Sequence, residues 1–250
     1  MKRQREDKQT LLQIQVIKSE HPFWGYRRVW AYMKYRLNLP VNKKRIYRIM
    51  KECNLLVTPN LRLKARRDNR PYRSKPRADR PNQFWDTDMT KIMLGYFGWL
   101  YLVVVLDWYT KKIVGYSIST KSRTEDWLDA LNDACNKQFP KGISAKQEEL
   151  FLVSDNGSQP TSKKYMQACS VLETKQIFAS YSNPKGNADT ERLMRTIKED
   201  FIWIREFSNP IEFTEAFKQW VERYNNDYPH SSLHYQTPCQ FEKEQIITKI

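Results

Sequence analysis

The sequence predicts a mixed α/β fold, a sheet flanked by helices, preceded by a small all-α domain. Three observations indicate this fold class. Lys and Arg are concentrated in residues 1–80, which hold 23 of them against six Asp and Glu, whereas residues 81–250 hold 20 against 22. Apolar residues recur at helical spacing up to about residue 57 and follow strand-like patterns from residue 82. Beyond three consecutive strands, helices and strands alternate.

Two helices are predicted at the start of the first domain, which we place at residues 1–57. A polar helix over residues 3–20 ends at His21-Pro22, because the residue before a proline avoids the helical conformation. A second helical stretch runs from about Gly25 to Leu37 with apolar residues at helical spacing, and Pro40 breaks it.

A third helix follows Asn42, whose side chain can cap it. One face of this helix carries the apolar residues Ile46, Ile49, Met50 and Cys53. The other face carries the cations Lys43, Lys44, Arg45 and Arg48. Two short helices joined by a tight turn, the second of them basic, indicate a helix-turn-helix, so we predict that these cations contact DNA. The alternative is a basic face that is merely solvated.

A linker is predicted at residues 58–81, which lack periodicity and contain four prolines and nine Lys or Arg. The excess of positive charge in the chain therefore lies in the helical domain and this linker. Each phosphate that such a segment neutralises releases a counterion, which favours binding to nucleic acid over a purely solubilising role.

The second domain, residues 82–242, begins with three strands at about Gln83–Met93, Trp99–Leu106 and Lys112–Ile118, joined as an antiparallel meander. A helix that Thr124 can cap runs to about Phe139. The later elements are, in order, a strand at 149–154, a helix at 162–171, a strand at 175–179, a loop at 181–186, a helix from 188 past 198, a helix at 214–225 and an irregular tail. This order is expected of a ribonuclease H-like sheet.

Composition argues against several classes of protein. No apolar run is long enough to span a membrane, and the N-terminus has no secretory apolar segment. The four cysteines lie far apart and only three histidines are present, so we expect free thiols rather than a zinc site. These observations predict a cytoplasmic protein with no membrane partner.

Three carboxylates lie at informative places. Asp88 lies in the first strand, Asp155 directly follows the apolar strand FLVS, and Glu191 lies in the first turns of a late helix. Strand ends are where ligands bind in open α/β sheets. Taken singly, each residue has a structural alternative: a surface residue near a strand end, a former of the Asp-Asn-Gly turn, and a helix N-terminal acid favoured by the dipole.

The combination of the three carboxylates predicts phosphodiester chemistry. Hard divalent cations prefer oxygen ligands. Two such ions, held roughly 3.5–4 Å apart, stabilise the attacking and leaving oxygens of an in-line displacement. Three carboxylates can bridge and flank this pair, so the chemistry requires no histidine or serine nucleophile.

At these residues the sequence resembles the DDE integrase superfamily, and most closely the insertion sequence 3 family of bacterial transposases. WDTDMT is similar to the first-Asp motif and SDNGSQPT to the second, and 35 residues separate Asp155 from Glu191. Lys198 matches the family's basic residue, seven positions after Glu191. The tail YNNDYPHSSLHYQTP resembles the family's ending, and HPFWGYRRVW with the helix after it resembles its helix-turn-helix domain. The resemblance covers about residues 20–242.

The resemblance implies a DNA strand transferase, which frees a 3′-hydroxyl by hydrolysis and directs it to attack a second phosphodiester. It implies Asp88, Asp155 and Glu191 as catalytic ligands of Mg²⁺ or Mn²⁺, with two ions in the assembled complex. Lys198 would contact DNA near the cleaved end, and Asn156 and Gly157 would shape the loop beside Asp155.

The partners implied by the resemblance are DNA, at the element ends and at the target, and further copies of the chain assembled on that DNA. A first-frame product, joined by programmed frameshift, would supply a terminal-repeat-binding helix-turn-helix and a leucine zipper. Neither appears before Met1-Lys2-Arg3. We therefore expect this product alone to recognise element ends weakly.

The sequence departs from the family pattern before the glutamate. Many relatives carry Gly-Asn-x-Tyr-Asp-Asn-Ala there, whereas this chain has the shorter Gly-Asn-Ala-Asp-Thr at residues 186–190, which indicates a subgroup that keeps the 35-residue interval. Asp86 and Asp88 would point to the same face of the strand. We prefer Asp88 as the ligand because Asp-x-Thr is the family's form.

Three other functions are compatible with parts of the sequence. An inactive or domesticated copy would bind DNA without cutting it, although the intact triad argues against this. A ribonuclease H or Holliday-junction nuclease would share the sheet, but the basic linker and the 35-residue interval favour strand transfer. A transcriptional regulator would use the basic helices alone and would leave residues 82–250 unexplained.

Overall fold

A computed structural model of the chain describes residues 2–57, 77–145, 148–178 and 188–247. The chain divides into two compact units, one of Met1–Pro71 with Asp227–Thr237 and one of Tyr72–Asn226 with Pro238–Ile250. The linker predicted at 58–81 lies outside the described residues up to position 76, and the loop predicted at 181–186 lies outside them entirely.

The described residues of the first unit contain three α-helices: α1 (Lys2–Glu20), α2 (Tyr26–Tyr35) and α3 (Lys43–Glu52). Asn42 caps α3 as predicted, because its Oδ1 accepts a hydrogen bond of 2.8 Å from the Lys44 N–H. The apolar faces of the helices bury a common set of side chains, which includes Ile14, Ile17, Val29, Met33, Ile46 and Met50. This burial stabilises helices that are too short to be stable alone.

Residues 227–237 also belong to the first unit. Asp227 forms an ion pair with Arg36, and the Tyr228 ring meets the Trp24 ring edge-on with centroids 5.5 Å apart. Further aromatic contacts with α2 involve Tyr235, Trp30 and Tyr35. From the sequence, this segment is predicted to be the tail of the second domain. Contacts between residues 191 or more positions apart leave no trace in local periodicity.

The second unit is built on a five-stranded mixed sheet in the order β3-β2-β1-β4-β5. The strands are β1 (Phe84–Leu94), β2 (Gly98–Asp107), β3 (Ile113–Ser119), β4 (Leu150–Ser154) and β5 (Thr174–Phe178). The pairs β1–β2 and β2–β3 are antiparallel, whereas β1–β4 and β4–β5 are parallel. The predicted meander and the mixed α/β class are therefore confirmed.

Five helices belong to this part of the chain: α4 (Thr124–Gln138), α5 (Lys163–Val171), α6 (Ala188–Ile197), α7 (Pro210–Asp227) and α8 (Pro238–Ile247). The last of them corrects the expectation of an irregular tail. The cap predicted for α4 was also wrong, because Asp126 provides it by accepting the Arg123 N–H at 2.7 Å. Among the described helices, none combines the length and the apolar character needed to cross a membrane.

One face of the sheet packs against α4. Gly115 in β3 permits the close approach, since a Cβ there would lie 2.5 Å from both the Ala130 carbonyl oxygen and the Ala134 backbone nitrogen. The buried side chains of this core include Trp85, Val103, Trp127, Leu131, Leu152 and Tyr165. Because side chains alternate along a strand, Asp86 and Asp88 lie on the opposite face from Trp85.

Candidate active site

Strand β1 carries two aspartates on one face, and the structure gives them different surroundings. Asp86 is completely buried, and its Oδ2 accepts hydrogen bonds from Trp108 Nε1 at 3.0 Å and from the Thr190 hydroxyl. Asp88 is partly exposed, and its Oδ1 accepts the Met89 N–H at 2.8 Å. Asp86 is thus engaged inside the fold, while Asp88 lies nearer to the surface.

Asp155 lies where β4 ends, beside β1. The two strands are parallel, and Ser154, the last residue of β4, pairs with Thr87, so Asp155 leaves β4 at the level of Asp88 in β1. The Asp155 side chain is exposed and its Oδ1 accepts the Gly157 N–H at 3.0 Å. A Cβ at Gly157 would lie 2.9 Å from that oxygen, so the turn fits closely around the carboxylate.

Glu191 lies in the first turn of α6, and α6 packs against β1. Its side chain is exposed, whereas those of Leu193 and Met194 are buried. Lys198 follows the last residue of α6 and begins a π-helical turn, Lys198–Ile202, in which the Trp203 N–H donates to the Lys198 carbonyl at 2.8 Å. Such turns widen a helix locally and often occur at functional sites.

The pKa of Asp88 links these residues. It is raised from 3.8 to about 6, mainly because the carboxyl group is removed from water. The negative charges of Asp155 and Glu191 raise it further, whereas the Met89 N–H and the positive charge of Lys198 lower it. Asp88 therefore lies within electrostatic range of the other three residues proposed from the sequence.

The donor set suits a hard divalent cation. Three carboxylates supply only oxygen ligands, which such cations prefer. The repulsion between their negative charges, which contributes to the raised pKa of Asp88, is relieved when a cation binds between them. In the positions that the structure gives them, the described His, Cys, Asp and Glu side chains form no group of three that would directly hold a metal ion. The acidic residues thus fit a metal by chemistry and electrostatics.

The four cations predicted to contact DNA differ in their surroundings. Lys43 and Lys44 are exposed at the start of α3. Arg45 Nε donates a hydrogen bond of 2.7 Å to one carboxylate oxygen of Asp7 in α1, and Arg48 Nη2 donates a hydrogen bond of 2.7 Å to the other. The Arg48 guanidinium is the main cause of the lowered pKa of Asp7. These two arginines therefore join α3 to α1, which the sequence did not indicate.

Sequence reasoning also missed Thr190 and Trp108. Both donate to Asp86, and both are buried. The only available signal was the pair of aspartates spaced two apart in β1, since one of them had to be buried or bound. Nothing in local patterning connects position 86 to position 190.

Family comparisons agree with this architecture. Integrase core domain models match residues 78–184 and 173–238, and an HTH-like domain model matches residues 4–62. The chain is 33% identical over 168 residues to the transposase for insertion sequence element IS904 of Lactococcus lactis, covering 67% of this chain and 64% of that protein. It thus spans just under two thirds of the length of that relative.

Two further comparisons cover more of the chain. It is 25% identical over 248 residues to the transposase InsD for insertion element IS2 of Escherichia coli, covering 97% of this chain and 81% of that protein. A chain of the simian T-cell lymphotropic virus intasome, solved in complex with PP2A regulatory subunit B56 gamma, has a similar fold, with a TM-score of 0.54 and 15% identity over 88% of this chain and 70% of that chain.

The chain thus combines an integrase core domain with an HTH-like domain that precedes it. More particularly, it is similar to the transposases of the insertion elements IS904 and IS2, in agreement with its resemblance to the insertion sequence 3 family.

Proposed function

We propose that this chain is the catalytic transposase of an insertion sequence, cleaving DNA at the element ends and joining the freed 3′-hydroxyls to target DNA. One observation carries the proposal. The charges of Asp155, Glu191 and Lys198, the residues that the family motif selects, act on the carboxyl group of Asp88 and so support the proposal. The relatedness to transposases favours this function over a junction nuclease or a regulator.

Asp88, Asp155 and Glu191 would hold the metal. Two Mg²⁺ or Mn²⁺ ions bound there would stabilise negative charge on the attacking and leaving oxygens of the phosphodiester. Asp88 must give up its proton to serve as a ligand, because only the carboxylate coordinates well. The Gly157 N–H orients Asp155, and Asn156 shapes the same turn. Lys198 would bind a phosphate beside the scissile bond and keep the DNA end in place.

The first unit would bind DNA through the exposed cations at the start of α3. Lys43 and Lys44 remain available for phosphate contacts, whereas Arg45 and Arg48 would reach DNA only with groups not engaged by Asp7. Strand transfer at two ends requires at least two active sites, so we propose that further copies assemble on DNA. We also propose that a first-frame partner binds the terminal repeats of the element.

The function is tested by nicking and strand transfer on supercoiled plasmid and short duplex ends, in Mg²⁺, Mn²⁺ or EDTA. Asp155→Asn and Glu191→Gln should each reduce the rate at least a thousandfold, a loss of about 4 kcal/mol of transition-state stabilisation or more. Asp129→Asn, which changes an exposed carboxylate on α4, is the matched control and should retain wild-type rates. Nicking that survives both active-site substitutions would refute the assignment.

A further inference from the structure

We infer that Asp86, Trp108 and Thr190 form a bracket that positions Glu191 beside Asp88. The Asp86 bracket rests on the proposed function, because the role of Glu191 as a ligand belongs to it. Its members are positioning residues, since each would act through Glu191 and Asp88 rather than on the DNA or the metal.

The bracket is a fully buried polar contact between an early strand and a late helix. Asp86 and Thr190 have no exposed surface, and one oxygen of Asp86, Oδ2, accepts both the Thr190 hydroxyl and Trp108 Nε1. Burial of a carboxylate costs several kcal/mol unless hydrogen bonds compensate it, so an apolar residue would serve a purely structural core better. A carboxylate at this place instead holds α6 in one position on β1.

The members of the bracket lie next to the proposed metal ligands in the chain, so the bracket affects where those ligands lie. Thr190 directly precedes Glu191, and Asp86 lies two residues before Asp88 on the same face of β1. A strand rises about 3.3 Å per residue and a helix about 1.5 Å, so Asp88 lies about 7 Å and Glu191 about 1.5 Å along its own backbone from the bracket. Fixing Thr190 against Asp86 therefore fixes the backbone of Glu191 relative to that of Asp88.

A second contact supports the same helix end. Lys111, in the turn between β2 and β3, forms an ion pair of 3.1 Å with Asp189 and donates a hydrogen bond of 2.5 Å to the Trp108 carbonyl. Asp107 holds this turn by accepting the backbone N–H of Thr110 at 2.7 Å. Two consecutive residues of α6, Asp189 and Thr190, are thus attached to the sheet and its turn immediately before Glu191.

The hydroxyl of Thr190 can be removed with little change in shape. Thr190→Val deletes the donor, Thr190→Ser keeps it, and Thr196→Val is the matched control. Thr196 lies on the same helix and is also buried, but its hydroxyl donates at 3.0 Å to the Arg192 carbonyl within α6. A general weakening of α6 should therefore appear in both valine variants, whereas loss of the bracket should appear only in Thr190→Val.

Two measurements on the full chain test the bracket. Mn²⁺ binding, measured from the electron paramagnetic resonance signal of the free ion, should weaken about tenfold or more in Thr190→Val. In Thr190→Ser and Thr196→Val the affinity for Mn²⁺ should stay within about twofold of wild type. In the metal-free protein, deuterium exchange at backbone amides of residues 188–197 should be faster in Thr190→Val than in either other variant. Equal behaviour of the two valine variants, or failure of serine to restore binding, would overturn the inference.

Glu191→Gln separates this inference from the proposed function. If Glu191→Gln leaves both Mn²⁺ binding and strand transfer unchanged, the proposed function fails and the bracket has no ligand to position. If Glu191→Gln abolishes both while Thr190→Val matches Thr196→Val, the function stands and the bracket is refuted. Weak Mn²⁺ binding in Glu191→Gln and Thr190→Val, restored by Thr190→Ser, supports both.

Discussion

Gly157→Ala is the most direct perturbation of the turn that holds Asp155. The added Cβ would lie 2.9 Å from Asp155 Oδ1, whereas ordinary contact begins at 3.4 Å, so the carboxylate must move by about 0.5 Å. Displacing a reacting group by about 1 Å reduces the rate about a hundredfold, so half that shift should reduce it roughly tenfold. The Gly157 backbone N–H remains available to Asp155, and the backbone there does not require glycine.

The assay for Gly157→Ala measures single-turnover strand transfer and urea unfolding on the same preparation. Because Gly157 is in a surface turn, the free energy of unfolding should change by less than about 0.5 kcal/mol. Ser158→Ala, in the same exposed turn, is the control and should leave the rate unchanged. Either a rate within twofold of wild type, or a loss of activity explained entirely by unfolding, would show that the turn does not set the position of Asp155.

Three other substitutions test packing and charge. Gly115→Ala should lower the free energy of unfolding, measured in urea, by about 1–3 kcal/mol or more, because the added Cβ meets backbone atoms of α4 at 2.5 Å. An unchanged midpoint of urea unfolding would contradict this packing. Folding raises the pKa of Asp88 from 3.8 to about 6, so the folded state is favoured while this carboxyl group is protonated. This contribution to stability is fully present below pH 3.8 and is lost as the pH rises through about 6. Metal-free Asp88→Asn should therefore match wild type near pH 4 and be about 2–3 kcal/mol more stable at pH 8, and a difference independent of pH would argue against it. Tyr228→Ala, which removes contacts with Trp24 and Arg28, should destabilise the first unit by roughly 2–4 kcal/mol, measured by deuterium exchange at the backbone amides of α2 and α3, while exchange in the strands of the second unit stays unchanged.

The parts of the fold that the sequence predicted well depend on local patterns. Asn42 caps α3, and the three antiparallel strands follow the alternation and turn signals that predicted them. The acidic residues could be selected from motif spacing, and the structure brings Asp155, Glu191 and Lys198 within electrostatic range of Asp88. Periodicity and spacing are properties of neighbouring residues, so a single sequence displays them.

The parts that it missed depend on contacts between distant segments. Arg45 and Arg48 looked like free cations because their partner, Asp7, lies 38 and 41 positions away. The same holds for Asp86, whose partner Thr190 is 104 positions away. Local sequence gives the chemistry of a side chain, whereas its partner is determined only when the chain folds, so exposed and engaged cations on one helix look alike beforehand.

The inclusion of residues 227–237 in the first unit has a consequence for the order of synthesis. The ribosome completes the helices up to residue 52 early, but the Tyr228 and Tyr235 rings that pack on α2 emerge only after the whole sheet has been made. Domains generally begin to fold as they emerge from the ribosome. The helical unit is thus the first to start folding, and cannot be completed until the sheet has been synthesised. A nascent or truncated chain would therefore lack a finished helical unit until the residues proposed to be catalytic have already been synthesised.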